Sequence, residues 1–278
     1  KRCTDGGAVY VENRGLVHRS MLTNNSALNG AGVYLYNGAE ASSDDPDHPE
    51  YLILSTSVVS NNTARGNGAV YCDKGGVLMQ NTITNNQCMT ATDATDVKAS
   101  QTGGVYIDEY ALVVNTVLWN NRMGQGSGIN IPMYARNPSS SKVRFMYNAI
   151  SGVNNAIWNN TLQEQTLSLL DMNSDKQDDG SSIGPRFKEP ASGMNFDIET
   201  DYGVRQDWAS GMIHYYWEPV DGSNLWARGM AIGLLPSEVV LAPELDMEGN
   251  LFAQKPAVGA FSVGATGIKH ATVGDSLV

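Results

Sequence analysis

Charge is scarce in this chain. Lys, Arg, Asp and Glu make up only 17% of its 278 residues, and 18 basic side chains face 29 acidic ones. The net charge of −11 repels a phosphate backbone and no basic cluster offsets it, so nucleic acid is set aside as a partner. No apolar run is long enough to cross a bilayer as a helix, and no basic amphipathic helix suggests surface insertion. Cysteine is limited to Cys3, Cys72 and Cys88, an odd set without metal spacing, which excludes a disulfide framework and a zinc site as expectations. The helical period of 3.6 is missing from the first half, which argues against a TIM barrel or a doubly wound sheet there.

What the chain has is repetition. "SMLTNN" at 20–25, "SVVSNN" at 57–62, "NTITNN" at 81–86 and "NTVLWNN" at 115–121 are versions of one phrase. A second landmark, "GGAVYV" and its relatives, centres on Val9, Val33, Val70, Val105 and Ile129. From the second Asn of a pair to the next landmark, Asn25 to Val33, Asn62 to Val70 and Asn121 to Ile129 are equal steps. The basic period is therefore 24 residues, with insertions after Val33 and after Asn86. Ile150 continues the register if the loop 132–141 holds a further insertion. Repeats of this length are too short for propeller blades of four strands each.

The columns of the repeat are chemically sorted. Val9, Val33, Val70, Val105 and Ile129 are β-branched, and two residues on stand Val11, Leu35, Cys72, Ile107 and Ile131. Leu16, Ile53, Val77 and Leu112 form a further aliphatic column, and Leu22, Val59, Ile83 and Leu118 another. Such alternation describes short strands, turned three times per 24 residues and stacked rung on rung. The expected fold is all-β: a right-handed parallel β-helix, a solenoid of about 24-residue coils with a non-repetitive C-terminal cap. Residues 1–160 are its coils, and 161–278 form irregular coils and an aromatic cap continuous with it. The abrupt start at Lys1, a few residues before a full repeat, suggests a longer protein with its leader and earlier repeats upstream.

Polar columns are expected at the corners. Ser20, Ser57, Asn81, Thr116 and Asn148 share one, and the Asn-Asn pairs fill another, where Asn tolerates the left-handed conformation and its amide can bond along the stack. The sequons at Asn24, Asn61 and Asn159 are explained by this corner chemistry rather than by glycosylation. Beyond about Gly184 the composition shifts to Trp208, Trp217, Trp226 and the run "HYYWEP" at 214–219, a segment suited to covering an open solenoid end.

The phrases "GGAVYVENRG" and "NTVLWNN" resemble the repeats of bacterial surface proteins of the polymorphic outer-membrane-protein type. The tail, with "GPRF" at 184–187, "GSNLWARG" at 222–229, "DMEGN" at 246–250 and "VGAF" at 258–261, is similar to the C-terminal region of bacterial β-helix proteins with a choice-of-anchor domain. It departs at Gly184, where that pattern has Asp, and at Asn224, where it has Pro. The resemblance implies a parallel β-helix and a secreted or cell-surface location, and very little chemistry.

Two groups of residues are candidates for function. Tyr10, Tyr34, Tyr71 and Tyr106 share a column one residue out of phase with the aliphatics on both sides, so they should project outward as an aromatic stripe. Rings repeated along a rigid face could stack on successive sugars of an extended glycan; equally, they are good strand formers that contact one another. Asp171, Asn173, Asp175 and Asp179 have the oxygen spacing of a calcium loop, although Lys176 and Ser182 replace its Gly and Glu, and the segment also reads as a solvated acidic loop. Calcium is the one cofactor suggested. His18, His48, His214 and His270 are scattered, and no carboxylate cluster with a Gly-His-Gly or an Arg-x-Lys marks a glycosidase. The expectation is a binding or adhesive module whose partner is an extracellular polysaccharide or another surface protein. The alternative is a polysaccharide lyase or glycoside hydrolase, or an accessory part of one.

Overall fold

The computed structural model describes residues 3–38, 52–89, 102–108, 111–123, 129–130, 133–135, 143–150, 169–171, 185, 187, 204–207, 212–215, 217–220, 223, 225–235 and 243–262. The first repeat supplies β1 (Val9–Glu12), β2 (Gly15–His18), β3 (Met21–Thr23) and β4 (Ser26–Asn29). The second supplies β5 (Val33–Tyr36), β6 (Leu52–Ser55), β7 (Val58–Ser60) and β8 (Thr63–Asn67). The third has β9 (Val70–Asp73), β10 (Val77–Met79), β11 (Thr82–Thr84) and β12 (Gln87–Cys88), and the fourth β13 (Val105–Ile107), β14 (Ala111–Val114), β15 (Val117–Trp119) and β16 (Arg122–Met123). After β17 (Ile129–Asn130) come β18 (Met133–Ala135), β19 (Val143–Met146), β20 (Asn148–Ile150) and β21 (Leu169–Asp171), then β22 (Val204–Asp207) and β23 (Met212–Tyr215). A 3-10 turn at Ile232–Leu234 is the only helical element among the described residues.

Each repeat contributes one strand to each of four sheets, whose orders are β1-β5-β9-β13-β18, β2-β6-β10-β14-β19, β3-β7-β11-β15-β20-β21 and β4-β8-β12-β16-β17. The repeat thus turns four times, not the expected three; the fourth strand shortens along the stack, from four and five residues in β4 and β8 to two each in β12 and β16. Pairing is parallel throughout these sheets except between β16 and β17. Val9, Val33, Val70 and Val105 stack as the register requires. The fifth member of that column is Met133, not Ile129, which instead folds back antiparallel on β16. "GSGIN" at 126–130 imitates the landmark, but the true fifth strand carries a Met where the column is otherwise β-branched. The insertion assigned to 132–141 is therefore split on either side of β18, and Ile150 still lands opposite Leu118.

The interior is lined by four stacked columns: Val33-Val70-Val105-Met133, Leu35-Cys72-Ile107, Leu54-Leu78-Val113-Phe145, and Val59-Ile83-Leu118-Ile150. The column Leu16-Ile53-Val77-Leu112 is in register as expected but lies on the opposite face of its sheet. Its neighbours Val17, Leu54, Leu78 and Val113 point inward instead. "LILS", "VLM" and "ALVV" are apolar at consecutive positions, the mark of a strand covered on both faces.

Corners are held by polar ladders. In the inner Asn column the amide Nδ2 of Asn25 donates to Oδ1 of Asn62 (3.0 Å), Asn62 to Asn86 (3.0 Å) and Asn86 to Asn121 (2.9 Å), each from an earlier repeat to a later one. Each Oδ1 also accepts the backbone N–H of the preceding Asn. The first Asn of the second, third and fourth pairs forms an outer column running the other way: Asn120 donates to Asn85 (2.8 Å) and Asn85 to Asn61 (2.5 Å). Asn24, Asn61, Asn85 and Asn120 all have φ between 51° and 61°, the left-handed region Asn tolerates. The Ser20-Ser57-Asn81-Thr116-Asn148 column is likewise a ladder, each side chain capping the backbone N–H of the previous member. Gly30 and Gly68, with φ of 58° and 61°, turn the chain into the landmark strand where a Cβ would lie 2.5 Å from a carbonyl oxygen.

The tail does not lie across an open end in its described part; it runs along the outer faces of the second and third sheets. Trp217, fully buried and edge-on to Phe187 at 5.3 Å, packs with Leu225, Met247, Val258, Ala260 and Phe261 against Val58, Val117 and Ala149. Met230 packs on Ile53, Val77, Leu112 and Val114. Between these sheets runs a corner column of left-handed residues: Arg19, Thr56, Gln80, Asn115 and Tyr147. Three of them grip the tail's main chain. Arg19 donates to the Met247 carbonyl (3.3 Å), Gln80 to that of Ala257 (3.2 Å), and Asn115 both accepts from the Met230 N–H (2.6 Å) and donates to its carbonyl (3.1 Å). Two of the tail phrases, "DMEGN" and "VGAF", are points where the tail folds or docks. Asp246 of "DMEGN" accepts the N–H groups of Glu248, Asn250 and Ser262, and "VGAF" meets Asn115 and Thr82.

Candidate functional site

The tyrosine column sits on the first sheet, one residue from the inward-facing positions on either side. Parallel register puts Tyr10 opposite Tyr34, Tyr34 opposite Tyr71 and Tyr71 opposite Tyr106. Tyr134, a member the sequence reading missed because it placed the fifth landmark at Ile129, pairs through its backbone with Tyr106. The rings follow the backbone spacing. Tyr10 and Tyr34 stack with centroids 5.4 Å apart, Tyr34 and Tyr71 at 4.7 Å, and Tyr71 and Tyr106 at 4.6 Å, with interplanar angles of 14°, 7° and 23°.

This geometry separates the two expectations for the stripe. The side chains leave the sheet on its outer side, yet Tyr34 and Tyr106 keep only 8% and 5% of their surface, whereas Tyr10 keeps 47%. Rings stacked face to face spend both faces of Tyr34 and Tyr71 on their neighbours. A sugar lying along the stripe therefore meets ring edges and phenol hydroxyls, not ring faces. Each stacked pair contributes about 0.5–1.5 kcal/mol beyond its buried area, so the column also supports the stack.

Charged groups flank the rings. The Tyr34 hydroxyl donates to the Asp73 carboxylate (3.0 Å), and the Lys74 ammonium lies 5.8 Å from the centre of the Tyr36 ring, which is itself tilted against Tyr10 at 6.4 Å. Burial, and then the adjacent Asp73 carboxylate, push the Tyr34 phenol well above its ordinary range. Tyr10 is raised more simply, by burial first and then by Glu12. His18 is held below its usual value by burial and by Arg19. Cys72 is pushed up to about 12 by burial, which leaves it a neutral core side chain. None of the three cysteines is in a disulfide; Cys3 is exposed and the other two are buried.

The calcium-loop candidates are only partly placed. Asp171 ends β21, with its backbone paired to Ile150, while Asn173, Asp175 and Asp179 lie outside the described residues. Among the described residues no three His, Cys, Asp or Glu side chains are grouped as metal ligands. Of the histidines, His214 is in β23, where its backbone pairs with Arg205, and His48 and His270 lie outside the described residues. Among those residues no helix is long and apolar enough to cross a membrane. No family model, no curated protein and no solved structure matches the chain.

Proposed function

We propose that the chain is a right-handed parallel β-helix that works outside the cell or at a bacterial cell surface as a binding or adhesive module, with a glycan as ligand. The hand follows from general sterics: crossovers between parallel strands of one sheet are right-handed in about 98% of cases. The observation that carries the binding reading is the division of the surface into two flanks. The described tail covers the second and third sheets, while the tyrosine column and its Asp73 and Lys74 neighbours belong to the first. On that flank the tyrosines repeat at rung spacing, Tyr10 is 47% exposed, and one carboxylate, Asp73, and one ammonium, Lys74, lie beside the column, groups that hydrogen-bond to sugar hydroxyls. A net charge of −11 favours neutral over acidic glycans. The resemblance of the repeats to bacterial surface proteins supports the same location.

The test is retention on a panel of immobilised neutral and acidic polysaccharides, comparing the native protein with Tyr34→Phe/Tyr71→Phe and Tyr34→Ser/Tyr71→Ser. Loss of neutral-glycan binding in the Phe pair, which keeps the rings, supports recognition through the hydroxyls. Unchanged retention in both pairs, with lower thermal stability in the Ser pair, leaves the column purely structural. New reducing ends or unsaturated, ultraviolet-absorbing products would instead establish the lyase or hydrolase alternative.

A further inference from the structure

We infer that the described residues of the C-terminal segment, 217–220, 223, 225–235 and 243–262, form a longitudinal clasp that makes distant repeats open and close as one unit. In a stack where each repeat touches only its neighbours, stability is a sum of local terms and the end repeats fray first. Here one segment bonds to residues far apart along the stack. Met247 is held by Arg19 at the corner between β2 and β3, in the first repeat. Ala257 and Ala260 are held by Gln80 and Thr82 in the third repeat. Met230 and Gly259 are held by Asn115 in the fourth. The first and fourth repeats are three rungs apart, about 15 Å at 4.8 Å per rung. A single apolar cluster runs along the same path, from Met21 through Val58 and Val117 to Ala149, and the tail supplies its other half.

The grips have a shared chemistry. All three corner side chains bind main-chain atoms of the tail, and all three residues occupy the left-handed region. A left-handed residue at a corner throws its side chain outward between two sheets, where a passing strand can be caught. Asn115 is the strongest of these stations. Its amide pairs with both polar atoms of the Met230 backbone in the manner of a β-bridge, its own carbonyl accepts from Gly259, and the side chain is buried. The corner column is therefore a docking rail for the chain's own tail, and releasing one station should loosen the others.

Hydrogen exchange of the full chain, read by mass spectrometry or NMR, tests this with two variants. Asn115→Gly keeps the left-handed backbone and deletes the two bonds to Met230. Asn85→Gly deletes the same number of ladder bonds, to Asn61 and Asn120, at a corner that does not touch the tail. In the native protein the amides of Met247 and Val258 in the tail, Arg19 and Asn24 in the first repeat, and Leu78 and Ile83 in the third should exchange through one common opening. In Asn115→Gly, the tail and first-repeat amides should exchange at least about tenfold faster relative to the third repeat, the loss expected for one net buried hydrogen bond. In Asn85→Gly the three groups should stay together. A tail that loosens while the first repeat stays level with the third overturns the clasp, because the tail is then a passenger. An even shift of all amides in Asn115→Gly overturns it too, as does the same separation in Asn85→Gly.

Discussion

Asn86 gives the sharpest test of what holds the repeats together. Its side chain is buried and carries four hydrogen bonds: Oδ1 accepts the N–H and the Nδ2 of Asn62 (2.9 and 3.0 Å), and Nδ2 donates to the Val59 carbonyl and to Oδ1 of Asn121 (both 2.9 Å). Replacing it by Ala strands these partners unequally. Asn62 Nδ2 keeps the Leu22 carbonyl, and Asn121 Oδ1 keeps the backbone N–H of residue 86. The Asn62 N–H loses its partner, and the Val59 carbonyl loses the side-chain donor. At about 1–3 kcal/mol for each buried group left unsatisfied, the two sum to roughly 2–6 kcal/mol. That is a large share of the ~5–15 kcal/mol by which a domain is usually stable. Equilibrium unfolding in urea, with the slope of the transition checked against the native protein, measures it. Asn86→Asp sharpens the test. The acceptor side of the ladder survives, but a carboxylate faces the Val59 carbonyl and Asn121 Oδ1, so burial and these oxygens raise its pKa above the unfolded value. A raised pKa gives stability that is present below the unfolded pKa and lost as pH rises through the folded one. The Asp variant should therefore regain stability towards pH 4, whereas the Ala variant should not. A loss below about 1 kcal/mol for the Ala variant would refute the ladder as a main support of the stack.

Two further outcomes follow from the corners and the tyrosine column. Thr56 is β-branched at φ 48°, a conformation that costs a non-glycine residue about 1–3 kcal/mol, so Thr56→Gly should raise stability by about 1 kcal/mol after the entropy of Gly is allowed for; a lower midpoint in thermal unfolding would show that the site is not strained. Folding holds the Tyr34 phenol neutral above its ordinary value of 10.0, so its contribution is present below pH 10 and is lost as pH rises through the folded value. Unfolding free energy should fall above pH 10, more steeply in the native protein than in Tyr34→Phe; equal slopes would place the loss elsewhere.

Much of the stack was legible because its chemistry repeats in one dimension. A landmark that returns every 24 residues tells which strands pair; the pairing of Val9 with Val33 needed nothing more, and that of Leu118 with Ile150 needed one further insertion. The Asn pairs were equally readable, since Asn at a left-handed corner has a local reason to be there. Three things were harder. The sequence around Ile129 imitates the landmark, and only tertiary pairing reveals that it folds back. The corner residues Arg19, Thr56, Gln80, Asn115 and Tyr147 share a conformation but no side-chain type, so no column of letters marks them. The tail does not repeat, so its docking path could not be read from a period. Its one trace was indirect: strands apolar on both faces, such as β6 and β14, require a second cover. Of the candidate site, the tyrosine column was legible and its ring contacts were not, because alternation tells which side of a sheet a ring leaves by and not what its faces touch.

The two Asn columns have a consequence for length. A peptide-like amide has a dipole of about 3.5 D, and a row of them aligned along an axis builds partial charges at its ends, as in an α-helix. In this stack the inner amides donate towards later repeats and the outer ones towards earlier repeats, so adjacent rows oppose and their fields largely cancel. Adding a rung adds one amide of each polarity. Such a stack can grow by duplication of its repeat without these two Asn rows building up a potential at either end.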